Sequence, residues 1–513
     1  MIFPRVAFVL VVLALPACSR TPAPGAYAPD TPKPSSGTPA LPATPHFGMN
    51  LAAVVDWSRE WAFVDVFRHS RPWIEHGPKP FIYNDDGWPI LSPGQNVETL
   101  MVRELDGHYP AGRYVATWRG SGTVDVPGYD VSGTVIHKPG RIEFNVHPAD
   151  GGVQLVISSS DRRDPVRDIR VTMPSFENAK SPFHPLFLER IAPFEVLRFM
   201  KWQRTETSPT RTWDQRAKLD DARWSTDAGV PPEVMIDLAN VRGANPWFCM
   251  PHLADDDYVH RFAKLVKERL RPDLKAYVEY SNEVWNWIYP ATRYADAEGK
   301  RLALGNPAFG RYYAQRSVEV FRIWEEEIGR DRLVRVLASQ FANAWLTEQV
   351  LTWKDAYKHA DALAVAPYFG HEFGQTEAAP ATANMTASQL LDQVAAEVDG
   401  PNRDQMMVQA ALARKYGLAL IAYEGGQHLV GVGGAENNQA LTALFTAANR
   451  HPRMGEITRR HYKNWFAAGG GVYVAFIYAE APSKVGSWGV LEFQDQPIAD
   501  APKYQAILNV LKK

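Results

Sequence analysis

Cysteine is nearly absent: Cys18 and Cys249 are the two thiols in 513 residues, so a disulfide framework is excluded and stability has to come from packing. An excess of positive charge is lacking too. Lys and Arg total 55 against 57 Asp and Glu, with no basic run, which removes the electrostatic footprint of a nucleic-acid binder. No Cys/His cluster has metal-ligand spacing, so neither a metal nor another cofactor is expected. No Gly-rich phosphate loop follows the first apolar run of the folded part, which removes the commonest reason to expect an open nucleotide-binding sheet. Hydrophobic residues at 45% and charged residues at 22% exclude both wholesale disorder and an all-membrane chain.

Aromatics, by contrast, make up 12% of the chain, with 16 Trp. Indole faces stack on the apolar faces of pyranose rings, though Trp serves equally as core filler. The N-terminus carries a single Arg5, an apolar run from Val6 to Leu15, and then Leu15-Pro16-Ala17-Cys18. That run is too short to span a membrane as a mature helix and reads as a secretory signal over residues 1–18. Its end resembles a bacterial lipobox, which implies that Cys18 becomes the lipidated first residue; Pro16 departs from the small residue usual there. Acylation would leave Cys249 without a partner. Residues 19–44 are rich in Pro, Ser, Thr and Gly and read as an extended tether. The expected location is the bacterial cell envelope, at the outer membrane or in the periplasm if the source is Gram-negative. Membrane contact is expected only through the lipid, and the oligomeric state is left open.

From His46 onward, short apolar runs alternate with longer amphipathic segments, the pattern of βα units. Eight runs qualify as strands: 46–50, 194–199, 246–250, 276–280, 333–337, 362–366, 418–423 and 471–477. Tyr258, Phe262, Leu265, Val266 and Leu270 form one helical stripe between two of them. Eight runs with intervening helices favour an α/β fold, a closed (β/α)8 TIM barrel. One stretch, 76–180, breaks the pattern. Alternation in Arg113–Trp118, in Ile142, Phe144 and Val146, and in Val153, Leu155 and Ile157 predicts an inserted β-sandwich after the first βα unit. The barrel is then divided between 45–75 and 181–513. Without an obvious row of surface aromatics, a structural role for the sandwich is favoured over glycan binding.

Two places carry the chemistry. Tyr277-Val278-Glu279-Tyr280-Ser281-Asn282-Glu283 opens as a β run and then exposes Asn-Glu where a barrel strand ends, the end at which such folds keep their catalytic groups. Leu420-Ile421-Ala422-Tyr423-Glu424-Gly425-Gly426 is an apolar run closed by a lone carboxylate, a costly arrangement unless the charge is used or paired. Cleavage of a glycosidic bond needs two carboxyl groups, one as proton donor and one to meet the oxocarbenium-like centre, and Glu283 and Glu424 supply such a pair. Glu279 alternates with Glu283 and is expected to point into the barrel as a hydrogen-bonded structural group.

SNEVWN and AYEGG, on the fourth and seventh strands, resemble the hallmark of clan A glycoside hydrolases, the retaining (β/α)8 group that includes the family 5 cellulases and mannanases. The resemblance covers the barrel and not the insert, and the exact family is not assigned. It implies that Glu283 is the acid/base, Glu424 the nucleophile, and Asn282 the residue that bonds a sugar 2-hydroxyl. It further implies that Arg198 steadies the nucleophile, that Tyr368 brings a hydroxyl beside it, and that Trp488 is a stacking platform. Pro367 stands where family 5 enzymes often have His, and His371 follows instead. His252 and Trp247 are further candidates to line the sugar site, weighed with His371 and Asn50 against purely structural roles. The implied activity is retaining hydrolysis of a β-linked poly- or oligosaccharide. Two alternatives are a non-catalytic glycan-binding lipoprotein and a transglycosylase acting on the cell's own exopolysaccharide. Which glycan is bound, and whether attack is endo or exo, is left open.

Overall fold

The computed structural model describes residues 45–512. All eight apolar runs form strands: β1 (Phe47–Asn50), β2 (Val196–Arg198), β3 (Asn245–Met250), β4 (Ala276–Tyr280), β5 (Leu333–Ala338), β6 (Ala362–Val365), β7 (Ala419–Ala422) and β8 (Gly470–Ala475). They pair in parallel and in this order, and β8 pairs back onto β1, closing the barrel. The molecule is a (β/α)8 barrel. Every residue of β1, β2 and β6 is buried, because one face of each strand fills the barrel and the other lies under helices. That two-sided burial is why these strands read as unbroken apolar runs.

The helices follow the expected stripes. In Asp256–Arg269, Tyr258, Phe262 and Val266 are buried, while Asp255 caps the N-terminus by accepting from the Tyr258 N–H. Asp256 and Asp257 in the first turn complement the positive end of the helix dipole.

Between β1 and β2 lie two antiparallel four-stranded sheets. One has the order Ile74–His76, Asn96–Met101, Val153–Ser160, Gly122–Asp125; the other Arg167–Thr172, Gly112–Arg119, Arg141–Val146, Val131–Lys138. Val97, Leu155 and Ile157 from the first pack with Tyr114, Ile142 and Phe144 from the second into a core separate from that of the barrel. This is the inserted β-sandwich. No α-helix lies between β1 and the insert: the chain makes a 3-10 turn, Val66–His69, and the helix Pro185–Arg190 that leads into β2 comes after the insert. The reason is visible at Trp61 and Phe63. Trp61 joins the sandwich core and Phe63 the barrel core, so the connecting chain must be extended to serve both, and Phe63 and Asp65 bridge to Phe183 and Thr172.

Candidate active site

Parallel register sets the ends of β1 and β2 level, Asn50 beside Arg198, and pairs Arg198 with Trp247 in the middle of β3 and Trp247 with Tyr277 near the start of β4, so β3 and β4 run on beyond the ends of β1 and β2. Arg198 ends β2 with no solvent exposure, and a buried guanidinium is stable only if its donors are used. They are used. Nη1 donates to Glu424 Oε1 at 2.8 Å and to Asn50 Oδ1 at 3.1 Å, while Nη2 donates to Glu279 Oε2 at 2.8 Å and to Asn282 Oδ1 at 2.9 Å. Glu279 Oε2 also accepts from Trp247 Nε1 at 2.9 Å and from the buried thiol of Cys249 at 3.5 Å. Arg198 therefore ties the ends of four strands together.

Beyond β4 the chain turns sharply. Ser281 and Glu283 have φ of +62° and +44°, the left-handed region that non-glycine residues seldom occupy. Such strain persists where the surroundings over-determine it. Here Ser281 N–H donates to Met250 O, Asn286 N–H to Glu283 O, and the Thr292 hydroxyl to Asn286 O. The result turns the Glu283 carboxyl toward the end of β7, where Tyr423 donates its hydroxyl to Oε1 at 3.0 Å; Asn286 Nδ2 donates to Oε2 at 2.9 Å.

Glu424 follows Tyr423 directly. Its Oε1 accepts from Arg198, and its Oε2 accepts from the Tyr368 hydroxyl at 3.0 Å. Gly425 is required next: a Cβ there would lie 2.2 Å from the Tyr473 hydroxyl, which is itself bonded to His461 Nε2.

The two carboxyls differ in their partners. Burial, and then the charge of Glu424, pushes Glu283 up to about 8, and only the neutral donors Asn286 and Tyr423 oppose this. Burial raises Glu424 as well, but there the Arg198 guanidinium pulls it back down, helped by Lys201 and Tyr368. The single proton a close pair retains near neutral pH therefore belongs on Glu283, the member with no cation against it.

Of the residues expected at the site, Glu424, Asn282, Arg198 and Tyr368 form one hydrogen-bonded constellation, and Glu283, bonded to Tyr423 and Asn286, feels the charge of Glu424. Trp488, half-buried, meets it edge-on, its ring 5.7 Å from that of Tyr368 and 5.0 Å from that of His428. One expectation needs correcting. Trp247 is fully buried beneath Arg198, its indole N–H bound to Glu279, so it offers no face to a sugar. His252 packs its ring edge on Tyr294, and its carbonyl accepts from Tyr280; burial lowers it to about 4, so it stays neutral, and its contacts run to these residues and not to the carboxyl pair. Arg198, also without exposure, acts on Glu424 and Asn282. His371 packs against His428, and Asn50 accepts from Arg198. Cys18 lies outside the described residues.

Other residues at the site carry no signal in the sequence. Lys201 pairs with Glu206 at 2.7 Å, and Tyr289 donates to the other oxygen of Glu206 at 2.9 Å. Lys201 also lies over the ring of Phe476, 5.8 Å from its centroid. The backbone beside Trp488 is held by Gln427 and Lys503, both donating to Ser487 O at 2.5 Å. Among the described residues, no group of three or more His, Cys, Asp or Glu side chains is arranged to hold a metal ion.

No family model matches the chain, and no curated protein matches it. Among solved structures it is similar to the GH51 arabinofuranosidase from Xanthomonas axonopodis pv. citri, at 12% identity over 59% of this chain and 62% of that one, with a TM-score of 0.35. It is similar to the GH5-4 broad-specificity endoglucanase from Clostridium acetobutylicum at 11% identity, over 65% of this chain and 92% of that one, TM-score 0.38. A modular endo-beta-1,4-mannanase from Cellulomonas fimi is similar at 12% identity, over 61% and 62%, TM-score 0.33. The chain thus spans less than two thirds of the arabinofuranosidase and of the mannanase. At these identities the likeness is one of fold.

Proposed function

We propose that this protein is a glycoside hydrolase that cleaves β-linked poly- or oligosaccharide with net retention of configuration. The observation that carries the proposal is the unlike pairing of two buried carboxyls at one barrel mouth, Glu424 on the Arg198 guanidinium and Glu283 on neutral donors alone. The β-linkage rests on the resemblance to clan A.

In the first step the Glu424 carboxylate attacks the anomeric carbon, the glycosidic C–O bond breaks, and the Glu283 proton passes to the departing oxygen. In the second, Glu283, now a carboxylate, takes a proton from water as the water oxygen displaces Glu424, which restores both groups. Arg198 keeps Glu424 ionised between turnovers, and Asn282, held by Arg198, is placed to bond the 2-hydroxyl. A purely glycan-binding protein has no use for two buried carboxyls held so differently. The N-terminal reading extends the proposal to location: a lipidated Cys18 anchors the enzyme to the cell envelope, and residues 19–44 carry the barrel clear of the surface.

The test is a screen of purified protein against β-glucans, mannans, xylans and bacterial exopolysaccharides, with and without an added acceptor sugar to separate hydrolysis from transfer. Release of product that Glu283→Ala and Glu424→Gly both lose supports the assignment. Activity that survives Glu424→Gly without an added nucleophile sinks it. Separately, Cys18→Ser is expected to move the protein from the membrane fraction to the soluble one with activity retained; continued partition with membranes sinks the anchor.

A further inference from the structure

The backbone around Glu424 is braced from behind by a side chain that no strand supplies. His461 lies in the helix Pro452–Ala467, between β7 and β8, and is fully buried. Both of its ring nitrogens are used: Nδ1 lies 3.0 Å from Asn402 Oδ1, and Nε2 lies 2.9 Å from the Tyr473 hydroxyl. Asn402 stands in the first turn of the helix Pro401–Lys415, which precedes β7, and donates through Nδ2 to Tyr368 O at 2.8 Å. Tyr473 belongs to β8, and its hydroxyl fills the space against Gly425. Phe369 lays its ring on the imidazole, centroids 4.8 Å apart, while its N–H donates to Gly426 O at 3.0 Å. One imidazole thus backs both Tyr368, whose hydroxyl bonds Glu424, and the glycine that follows Glu424 in the chain.

The direction of each hydrogen bond follows from its partners. The Tyr368 carbonyl can only accept, so the Asn402 nitrogen faces it and the Asn402 oxygen faces His461; Nδ1 must therefore carry the imidazole proton. Nε2 of the neutral ring is then an acceptor, and Tyr473 donates to it. Burial lowers His461 to about 3, so the neutral form that this pattern needs holds at ordinary pH. Packing alone would be served by an apolar side chain, because a buried polar group costs free energy unless every member of its network is satisfied. A network that is satisfied rigidifies what it holds, and what this one holds is the backbone on either side of the nucleophile.

We propose that His461 is a positioning residue for Glu424: through Asn402 it fixes the Tyr368 loop, through Tyr473 it fixes Gly425, and the nucleophile is thereby held from two sides. The proposal rests on Glu424 being the nucleophile.

The test reads Glu424 directly. That carboxyl titrates among Arg198 and Lys201, which lower it, Glu206, which raises it, and Glu283, with which it forms the close pair. Glu283→Gln leaves one carboxyl of the pair, and its midpoint can be followed by NMR of protein isotopically labelled at the Glu carboxyl carbon, the signal being identified by its loss in Glu424→Gln. In this background Tyr368→Phe should raise the midpoint by about one pH unit, the size of a hydrogen bond to a charged group. His461→Gln, which cannot reach both partners, should raise it by part of that. So should Asn402→Ala and Tyr473→Phe, which leave the imidazole in place and keep the proposal testable if His461→Gln fails to fold. Asn402→Ala acts through Tyr368 and should add nothing to Tyr368→Phe in the double variant. Ile142→Ala destabilises only the separate sandwich core and should leave the midpoint where it was. With Glu283 restored, the three network variants should lose about tenfold in kcat on dinitrophenyl β-cellobioside, β-mannobioside or β-xylobioside, with KM little changed. An unmoved midpoint in both Asn402→Ala and Tyr473→Phe, a shift from Asn402→Ala that adds fully to that of Tyr368→Phe, or a loss confined to KM overturns the positioning role. Shifted midpoints in a protein whose wild type cleaves none of the glycosides leave the network standing and overturn the catalytic reading.

Discussion

Tyr423 donates its hydroxyl to Glu283 at 3.0 Å, while its neighbour in sequence, Glu424, is held by Arg198 at 2.8 Å. One dipeptide at the end of β7 thus touches both halves of the chemistry. Tyr423 favours the ionised form of Glu283, and its removal should raise the acid further. Because the acid must be protonated to act, Tyr423→Phe is expected to move the basic limb of the kcat/KM profile upward by about one pH unit, the size of one hydrogen bond to a charged group. A basic limb that stays put, or moves down, would show that another group titrates there.

The same carboxyl should be visible in stability. Glu283 has an ordinary value of 4.5 and stands at about 8 in the folded protein, so the folded state binds its proton more tightly than the unfolded one. Stability is therefore full below about pH 4.5 and is lost as pH rises toward about 8. Glu283→Gln, which is never charged, is expected to raise the melting temperature at pH 8–9, by the equivalent of at most a few kcal/mol, and to change it much less at pH 5. Thermal unfolding of both proteins across that range checks it. An equal effect at both ends would mean that the gain comes from packing and not from the proton.

Much of this was legible in the sequence. The eight strands were readable because a barrel strand is buried on both faces, and β4 was readable to the residue because Ala276–Tyr280 is bounded by Lys275 and by the polar Ser281-Asn282. Glu283 and Glu424 stood out as carboxylates closing apolar runs. Trp247 did not separate from a cleft residue, since an indole in an apolar strand looks alike in sequence whether it faces sugar or, as here, Glu279. Lys201, Glu206 and Tyr289 were illegible for another reason: Lys201 and Glu206 lie in a turn-rich loop without periodicity, and Tyr289 reaches Glu206 from the β4 loop. Lys503 and Ser487 meet only because the loop after β8 folds against the last helix, Pro502–Leu511.

That contact yields a prediction. Burial lowers Lys503 to about 7, Glu492 and Glu480 offsetting this only in part, and its ammonium donates to Ser487 O at 2.5 Å beside Trp488. Lys503→Met removes one of the two donors at that carbonyl while Gln427 keeps the other, so the fold should survive. Substrate use is expected to fall with the pattern of Trp488→Ala, by about 1–3 kcal/mol in kcat/KM and mainly through KM, because both variants lose the same aromatic wall. The double variant should then be no worse than Trp488→Ala alone. Fully additive losses would separate Lys503 from Trp488.

The sharpest prediction concerns the roles of the two carboxyls. Glu424→Gly should abolish hydrolysis, because the anomeric centre loses its nucleophile while Glu283 still donates a proton. Gly leaves space for a small anion, so added azide should restore turnover of an activated aryl glycoside and give a glycosyl azide of inverted configuration, one displacement having replaced two. Glu283→Ala should fail in the opposite step. An activated leaving group needs little protonation, so the covalent intermediate on Glu424 should form and then accumulate for want of a base, visible as a burst followed by a slow phase and as added mass on the protein. Azide attacks that intermediate without needing a base, and its product should keep the original configuration. The wild-type enzyme should release first the anomer of retained configuration, followed by proton NMR before mutarotation. Release of the inverted anomer would remove the covalent step, and a retained azide product from Glu424→Gly together with an inverted one from Glu283→Ala would exchange the assignments of Glu283 and Glu424.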